Sequence, residues 1–227
     1  MCLANPPYSI KQWDRDAFAS DPWGRNIYGT PPQGRADYAF WQHIIQSLHP
    51  KTGRCAILFP HGVLFRNEER YMRQKLVEHD VIETVLGLGP NLFYNSPMEA
   101  CVVVCRMKKS RSRKVKIQFI NAVNEVSCER AQSFLTEAHI RRIVAAYQRD
   151  QDEPGFSRLV PMEEIKLQEH NLSIPLYVRS ESGKGDRATA PGSSLAEAIE
   201  SWQLSSRELR SSMESLLVTL KEVGGVE

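Results

Sequence analysis

The run Cys55-Ala56-Ile57-Leu58-Phe59-Pro60 has no polar residue on either alternating face. A strand of this kind must be covered from both sides, as in sheets sandwiched between helices. Its neighbours fit that architecture. Upstream, Trp41, Ile44, Ile45 and Leu48 recur at helical spacing after Asp37, a candidate N-cap, and Pro50 and Gly53 end the helix. Downstream, Asn67 is a candidate cap for a helix running to about His79. Residues 81–88, 100–106 and 115–121 read as further strands, the last with Val115, Ile117 and Phe119 alternating. The segment Lys108-Lys109-Ser110-Arg111-Ser112-Arg113-Lys114 joins the last two and reads as a hairpin turn. Thr136 is placed to cap a helix whose face is Ile140, Ile143, Val144 and Tyr147. The expectation is an α/β fold with an antiparallel hairpin, residues 100–121, at one edge of the sheet.

The two ends of the chain differ from this core. Residues up to Gly34 are rich in Pro, Gly and Trp and read as a long loop. Residues 179–194 read as a flexible linker. Beyond it Leu195, Ile199, Trp202, Ser206, Leu209, Met213, Leu216, Leu220 and Val223 alternate in steps of four and three, a heptad seam with one polar interruption. The expected organisation is a core domain over residues 1–178, a linker over 179–194 and an amphipathic helix over 195–223.

A length of 227 residues with 41% hydrophobic and 25% charged residues suits one soluble domain plus such an appendage. No apolar run approaches the roughly 20 residues needed to span a bilayer, and the first residues lack the basic and apolar regions of a secretory signal. The expected compartment is the cytoplasm, which five cysteines, an odd number, also suit. Cys101 and Cys105 have a spacing seen in metal sites, but no second Cys/His pair follows, so no metal is expected. A net charge of +2 neither demands nor excludes nucleic acid.

The segment Asn5-Pro6-Pro7-Tyr8 is the most specific chemical feature. Two prolines prevent a regular helix or ladder and stiffen the loop. An amide, two carbonyls and an aromatic face are thus held in fixed relation. Alone, the four residues are a moderate signal, because Pro-rich turns are common. The rest of the chain adds Gly34-Arg35-Ala36-Asp37-Tyr38-Ala39-Phe40, then Gly53 through Arg66, and Asn91-Leu92-Phe93-Tyr94. Phe119-Ile120-Asn121-Ala122, Glu137 through Ile143, and Asn171-Leu172-Ser173-Ile174-Pro175 follow in order.

Together these motifs resemble the C-terminal part of the modification subunit of type I restriction-modification systems, an adenine-specific DNA methyltransferase family. The resemblance covers residues 1–178, and residues 94–100 depart from the family pattern. It implies the C-terminal half of a Rossmann-like methyltransferase sheet and transfer of a methyl group from S-adenosylmethionine to the 6-amino group of adenine. The Asn5 side-chain oxygen and the Pro6 carbonyl would accept the two amino hydrogens, with Pro7 stiffening the loop, and Tyr8 would stack on a flipped base. Implied partners are DNA, a specificity subunit and a restriction subunit. The same motif class also serves methyltransferases acting on RNA or on a protein glutamine, and a catalytically silent assembly module is the other alternative. The family's donor site, a Gly-rich loop and an acidic residue upstream of the motif, has no counterpart here. Gly87-Leu88-Gly89-Pro90 reads only as a turn. The chain therefore reads as a truncated product or remnant, inactive alone and not expected to bind S-adenosylmethionine well.

Candidate DNA contacts are Lys11, Arg25, Arg35 and Arg66 near the catalytic loop, and Lys108, Lys109, Arg111 and Arg113 in the basic segment. A solvated turn explains the basic segment equally well. Trp13, Trp23 and Tyr28 are either wedges or loop anchors, and for His61 and Asp37 structural roles weigh more than catalytic ones. The terminal seam is expected to dock on the specificity subunit or a second copy of the chain. Each large side chain it buries contributes roughly 1.5–3 kcal/mol. Leu209→Asp combined with Leu216→Asp should therefore release the partner while the core still melts cooperatively. Sedimentation with thermal melting checks this, and normal assembly of the double variant would exclude the seam from the interface.

Overall fold

The computed structural model describes residues 1–93, 98–129 and 132–179, so the predicted terminal helix and nearly all of the linker lie outside the described residues. The chain opens with β1 (Cys2–Ala4) and a loop carrying α1 (Arg15–Ala19). Next come α2 (Asp37–Gln46), β2 (Arg54–Pro60), α3 (Arg70–Glu78), β3 (Ile82–Leu88), β4 (Ala100–Arg106) and β5 (Lys116–Ala122). A small ribbon of β6 (Ser127–Glu129) and β7 (Gln132–Phe134) precedes α4 (Glu137–Gln148), β8 (Ser157–Pro161) and α5 (Met162–Leu167).

Six strands form one mixed sheet in the order β1-β2-β4-β3-β5-β8. β1 and β2 are parallel, as are β3 and β5, while β4 and β8 run against their neighbours. The α/β architecture expected from sequence is present. On one face Ile57, Phe59, Val85, Val103 and Phe119 pack against Trp41 and Ile45 of α2, Leu76 and Val77 of α3, and Ile165 of α5. Tyr177 stacks on Phe119 with ring centroids 4.2 Å apart. On the other face Ile143 and Ala146 of α4 pack on Ile120 and Ala122. There, among the described residues, β1, β2 and β4 carry less cover, and Leu3, Ala56, Leu86, Val104 and Val144 line a groove of about 310 Å³.

The predicted hairpin of residues 100–121 is not formed. β4 pairs with β2 and β3, and β5 lies on the far side of β3. The crossover into β5 is tied down by the carboxylate of Asp80, which stands just before β3. Its Oδ1 accepts from Lys109 Nζ at 2.6 Å and its Oδ2 from the Val115 N–H at 3.0 Å, so the basic segment wraps around the start of β3. Lys109 also donates to the Lys116 carbonyl at 2.7 Å. Val115, expected in the strand, instead adopts φ 59° as the crossover turns into β5. Arg113 is buried too: its Nε meets Asp150 at 2.6 Å and its Nη1 meets Gln118 Oε1 at 2.9 Å.

Helix starts differ in detail. Thr136 caps α4 as expected, its Oγ1 accepting the His139 N–H at 3.3 Å while His139 Nδ1 accepts the Thr136 N–H. Ile140 and Val144 of the predicted face remain exposed. Asp37 is the first residue of α2, with Ala36 at the cap position, and Asn67 begins a short 3-10 turn before α3. Gly87 and Leu88 belong to β3 rather than to a turn.

Because Lys109 is buried against Asp80, Lys109→Ala should cost about 2 kcal/mol. That is below the loss usual for a fully buried pair, since Asp80 keeps some water access. Lys108→Ala, at an exposed neighbour, should cost under about 0.5 kcal/mol. Urea denaturation of both variants checks this, and equal costs would refute the structural role.

Candidate active site

The C-terminal ends of the parallel strands share one edge of the sheet, where α/β folds place ligand crevices. Asn5-Pro6-Pro7-Tyr8 follows β1 at this edge, and His61 follows β2 there. Asn5 is exposed and Tyr8 half-buried. Burial raises the Tyr8 phenol above its ordinary value, and nearby Cys101 and Asp37 add to the rise. Tyr8 is therefore a neutral aromatic plane set against the sheet edge.

The loop is tied down one residue later. The Ser9 N–H donates to Asp37 Oδ1 at 2.8 Å, and the Ser9 hydroxyl donates to Asp37 Oδ2 at 3.3 Å. Asp37 is buried, and Arg66 Nη1 donates to its Oδ2 at 3.1 Å. The same Arg66 nitrogen lies 3.6 Å from Glu69 Oε2. Gly62 makes room for this guanidinium: a Cβ there would stand 2.3 Å from Arg66 Nε. Since Arg66 is hydrogen-bonded to Asp37 and lies beside Glu69, it cannot retreat cheaply.

Glu69 is fully buried, and among the described residues neither carboxyl oxygen has a hydrogen-bond partner. Burial pushes its carboxyl up to about 7, and the charge of Asp37 adds to the rise, while Arg66, Arg35 and Arg73 oppose it. Sequence reading missed Ser9 and Glu69 and took Asp37 for a helix cap. The signal available was an acid inside Ala36-Asp37-Tyr38-Ala39-Phe40, a segment that packs into the core.

The other candidates divide by location. Lys11 and Arg35 lie in the long loop after the motif, with the Lys11 carbonyl accepting from Gln33 Nε2. Arg25 is engaged by Asp21 through two nitrogens. Lys108, Lys109, Arg111 and Arg113 follow β4, whose last residue Arg106 pairs with Arg54 at the start of β2. That is the opposite end of the sheet from Asn5, and Lys109 and Arg113 are spent on structural ion pairs. Lys108 and Arg111 are exposed. Tyr28 is a core residue, its backbone N–H bonded to Gln42 at 2.6 Å. Trp13 meets Phe18 edge-on within the loop, and Trp23 is 75% exposed. His61 Nε2 lies 3.0 Å from the Ala100 carbonyl, a structural tie between the ends of β2 and β4.

The site residues that could bear on a donor molecule are few. Gly87 and Gly89 are packed by protein: a Cβ on Gly87 would stand 2.7 Å from Ile174 Cδ1, and one on Gly89 2.5 Å from the Val123 carbonyl. They do not form an open cradle. Among the described residues no group of three or more His, Cys, Asp or Glu is placed to hold a metal, and no helix is long and apolar enough to cross a membrane.

A sheet with helices on both faces and an Asn-Pro-Pro-Tyr loop at the carboxyl end of a parallel strand defines a methyltransferase-like α/β protein. Residues 1–186 match the family model described as N-6 DNA Methylase, and the chain belongs to that family. It is 36% identical over 186 residues to the type I restriction enzyme MjaVII methylase subunit of Methanocaldococcus jannaschii, covering 78% of this chain and 32% of that protein. It is 30% identical over 186 residues to the MpnII methylase subunit of Mycoplasma pneumoniae, covering 80% and 34%. Among solved structures it is similar to the methyltransferase subunit of a type I restriction-modification system from Streptococcus thermophilus. The identity there is 38% and the TM-score 0.71, covering 78% of this chain and 37% of the other. The chain thus spans about a third of the length of the curated relatives it matches.

Glu69 sets a pH dependence. Its folded-state carboxyl titrates at about 7, against roughly 4.3 when unfolded. The folded state therefore binds the proton more tightly. The stability that Glu69 contributes is full below about pH 4.3, falls as pH rises toward 7, and is flat above. Glu69→Gln should remove this decline and stabilise the fold at pH 8 by on the order of 3–4 kcal/mol. Urea midpoints of both proteins between pH 4 and 8 check it; parallel profiles would contradict the assignment.

Proposed function

We propose that this chain supplies the acceptor side of the active site in the modification subunit of a type I restriction-modification system, which methylates the 6-amino group of adenine in DNA. The observation that carries the reading is a rigid Asn5-Pro6 pair of oxygen acceptors at the carboxyl end of a parallel strand, in a chain of the N-6 DNA methylase family.

The exocyclic nitrogen of adenine is a poor nucleophile because its lone pair is delocalised into the ring. Acceptance of its two hydrogens by Asn5 Oδ1 and the Pro6 carbonyl draws the lone pair out of conjugation. The same oxygens stabilise the positive charge that develops as the nitrogen gains a methyl group. The proton leaves afterwards, so no strong general base is required. The contribution is positioning and electrostatic preorganisation. The base must leave the duplex, and Tyr8 offers the plane on which it stacks.

The methyl donor of such a subunit would be S-adenosylmethionine. Among the described residues, the two close glycines of the sheet edge are packed by protein atoms and offer it no open cradle. No role in donor binding is assigned to them, and the isolated chain is proposed to be inactive. Titration calorimetry of the chain with S-adenosylmethionine should show no saturable binding, and micromolar saturation would overturn this. A specificity subunit and a restriction subunit are the proposed partners, with residues 195–223 proposed to dock on the specificity subunit or on a second copy of this chain.

In the complete subunit Asn5→Ala should raise the barrier to methyl transfer by about 3 kcal/mol while DNA binding persists. Tyr8→Phe and Tyr8→Trp should retain more activity than Tyr8→Ala. Methylation of duplex DNA measured beside DNA affinity tests both; an active Asn5→Ala enzyme would end the proposal. Equal losses in all three Tyr8 variants would assign the function to the hydroxyl.

A further inference from the structure

We infer that Asp37 and Arg66 are positioning residues for methyl transfer: together they hold Ser9 and thereby set the place of the Asn5-Pro6-Pro7-Tyr8 loop. The inference rests on the active-site reading above.

Ser9 has φ 46°, a left-handed conformation that residues with a side chain rarely adopt. Such a residue persists only where its surroundings fix it. Here the fixing group is one carboxylate, that of Asp37. One of its oxygens takes the Ser9 N–H at 2.8 Å, and the other takes the Ser9 hydroxyl at 3.3 Å. Arg66 closes the arrangement, with Nη1 on Asp37 Oδ2 at 3.1 Å and Nη2 on the Ser9 hydroxyl at 3.4 Å. The three side chains form a ring of contacts in which each member is held by the other two.

This ring is anchored. The Asp37 side chain is 1% exposed and that of Arg66 16%. The Arg66 carbonyl accepts from Arg73 Nη1 at 2.9 Å, and Arg73 is itself buried with its Nε on the His170 carbonyl at 2.8 Å. The loop after β2 is therefore fixed to the body of the domain, and the loop after β1 is fixed to it through Asp37. Between Ser9 and Asn5 stand Tyr8 and two prolines, whose locked φ angles leave little freedom. Fixing Ser9 thus constrains both the Asn5 amide and the Pro6 carbonyl. A displacement of reacting groups by about 1 Å costs on the order of 100-fold in rate.

The test uses the complete methylase subunit with its partners. Asp37→Ala, Asp37→Asn and Asn5→Ala are compared for single-turnover methylation, DNA affinity and amide hydrogen exchange at Ser9. Asp37→Ala should lower the methylation rate about 100-fold and leave DNA affinity within about threefold. It should also remove the protection of the Ser9 amide. Asp37→Asn keeps an acceptor but loses the charge-assisted bonds, so its rate should lie about tenfold above that of Asp37→Ala and about tenfold below wild type. If Asn5→Ala is inactive while Asp37→Ala methylates normally, the positioning role fails and the active-site reading stands. If Asn5→Ala is active, the active-site reading fails; unchanged Ser9 protection in Asp37→Ala would then overturn the loop tether as well. Should Asp37→Ala not fold, Asp37→Asn decides, and a wild-type rate in that variant overturns the inference.

Discussion

Arg73 is the interaction on which the site end of the molecule depends. Its side chain is buried, and it is bonded to backbone oxygens on two separate stretches of chain: His170 after α5, and Arg66 after β2. A third oxygen, of Val63, receives the Tyr38 hydroxyl from α2 at 2.8 Å. The Leu172 N–H closes the same region onto the Leu64 carbonyl at 2.9 Å. A guanidinium taken out of water is costly unless its donors are met, so loss of the His170 or Arg66 carbonyl would leave a buried donor unpaired. The segment after β2 therefore has little choice of place, and the residues built upon it inherit that rigidity.

The burial of charge explains the protonation balance nearby. Arg66 serves two carboxyl groups, Asp37 and Glu69, and meets Asp37 at the shorter distance, 3.1 against 3.6 Å. Asp37 has three hydrogen bonds from Ser9 and Arg66, and Glu69 has none among the described residues. Asp37 thus takes the hydrogen bonds, while burial pushes Glu69 toward its neutral form. Two anions beside a single cation, both out of water, would otherwise repel at short range.

Much of the architecture was legible in the sequence, because hydrophobic periodicity and capping chemistry are local. Strands 2 to 5, helices 2 to 4 and the Thr136 cap all follow from nearest neighbours along the chain. The order of strands was not legible. β4 lies between β2 and β3, so β5 crosses to the far side of β3, and that crossover is tied by Asp80, which stands 29 positions before Lys109 and 35 before Val115. The pattern of residues 100–106, with Cys101, Val103 and Cys105 on one face and Val102 and Val104 on the other, describes a strand covered on both faces and does not specify which strands flank it.

The candidate site divides in the same way. Asn5-Pro6-Pro7-Tyr8 was legible because its two prolines fix local geometry by themselves. The residues behind it were not, because a buried ion pair is a long-range fact: Ser9 meets Asp37 from 28 positions away, and Asp37 meets Arg66 from 29. Eight cations looked equally suited to a phosphate backbone. Four of them already face carboxylates: Arg25 against Asp21, Arg66 against Asp37, Lys109 against Asp80 and Arg113 against Asp150. A buried cation paired with an acid, as Lys109 and Arg113 are, has exchanged its long-range field for local structure, so the charge of a basic stretch overstates what it can offer a polyanion. This weighs against the segment after β4 twice, since it also lies at the end of the sheet away from Asn5.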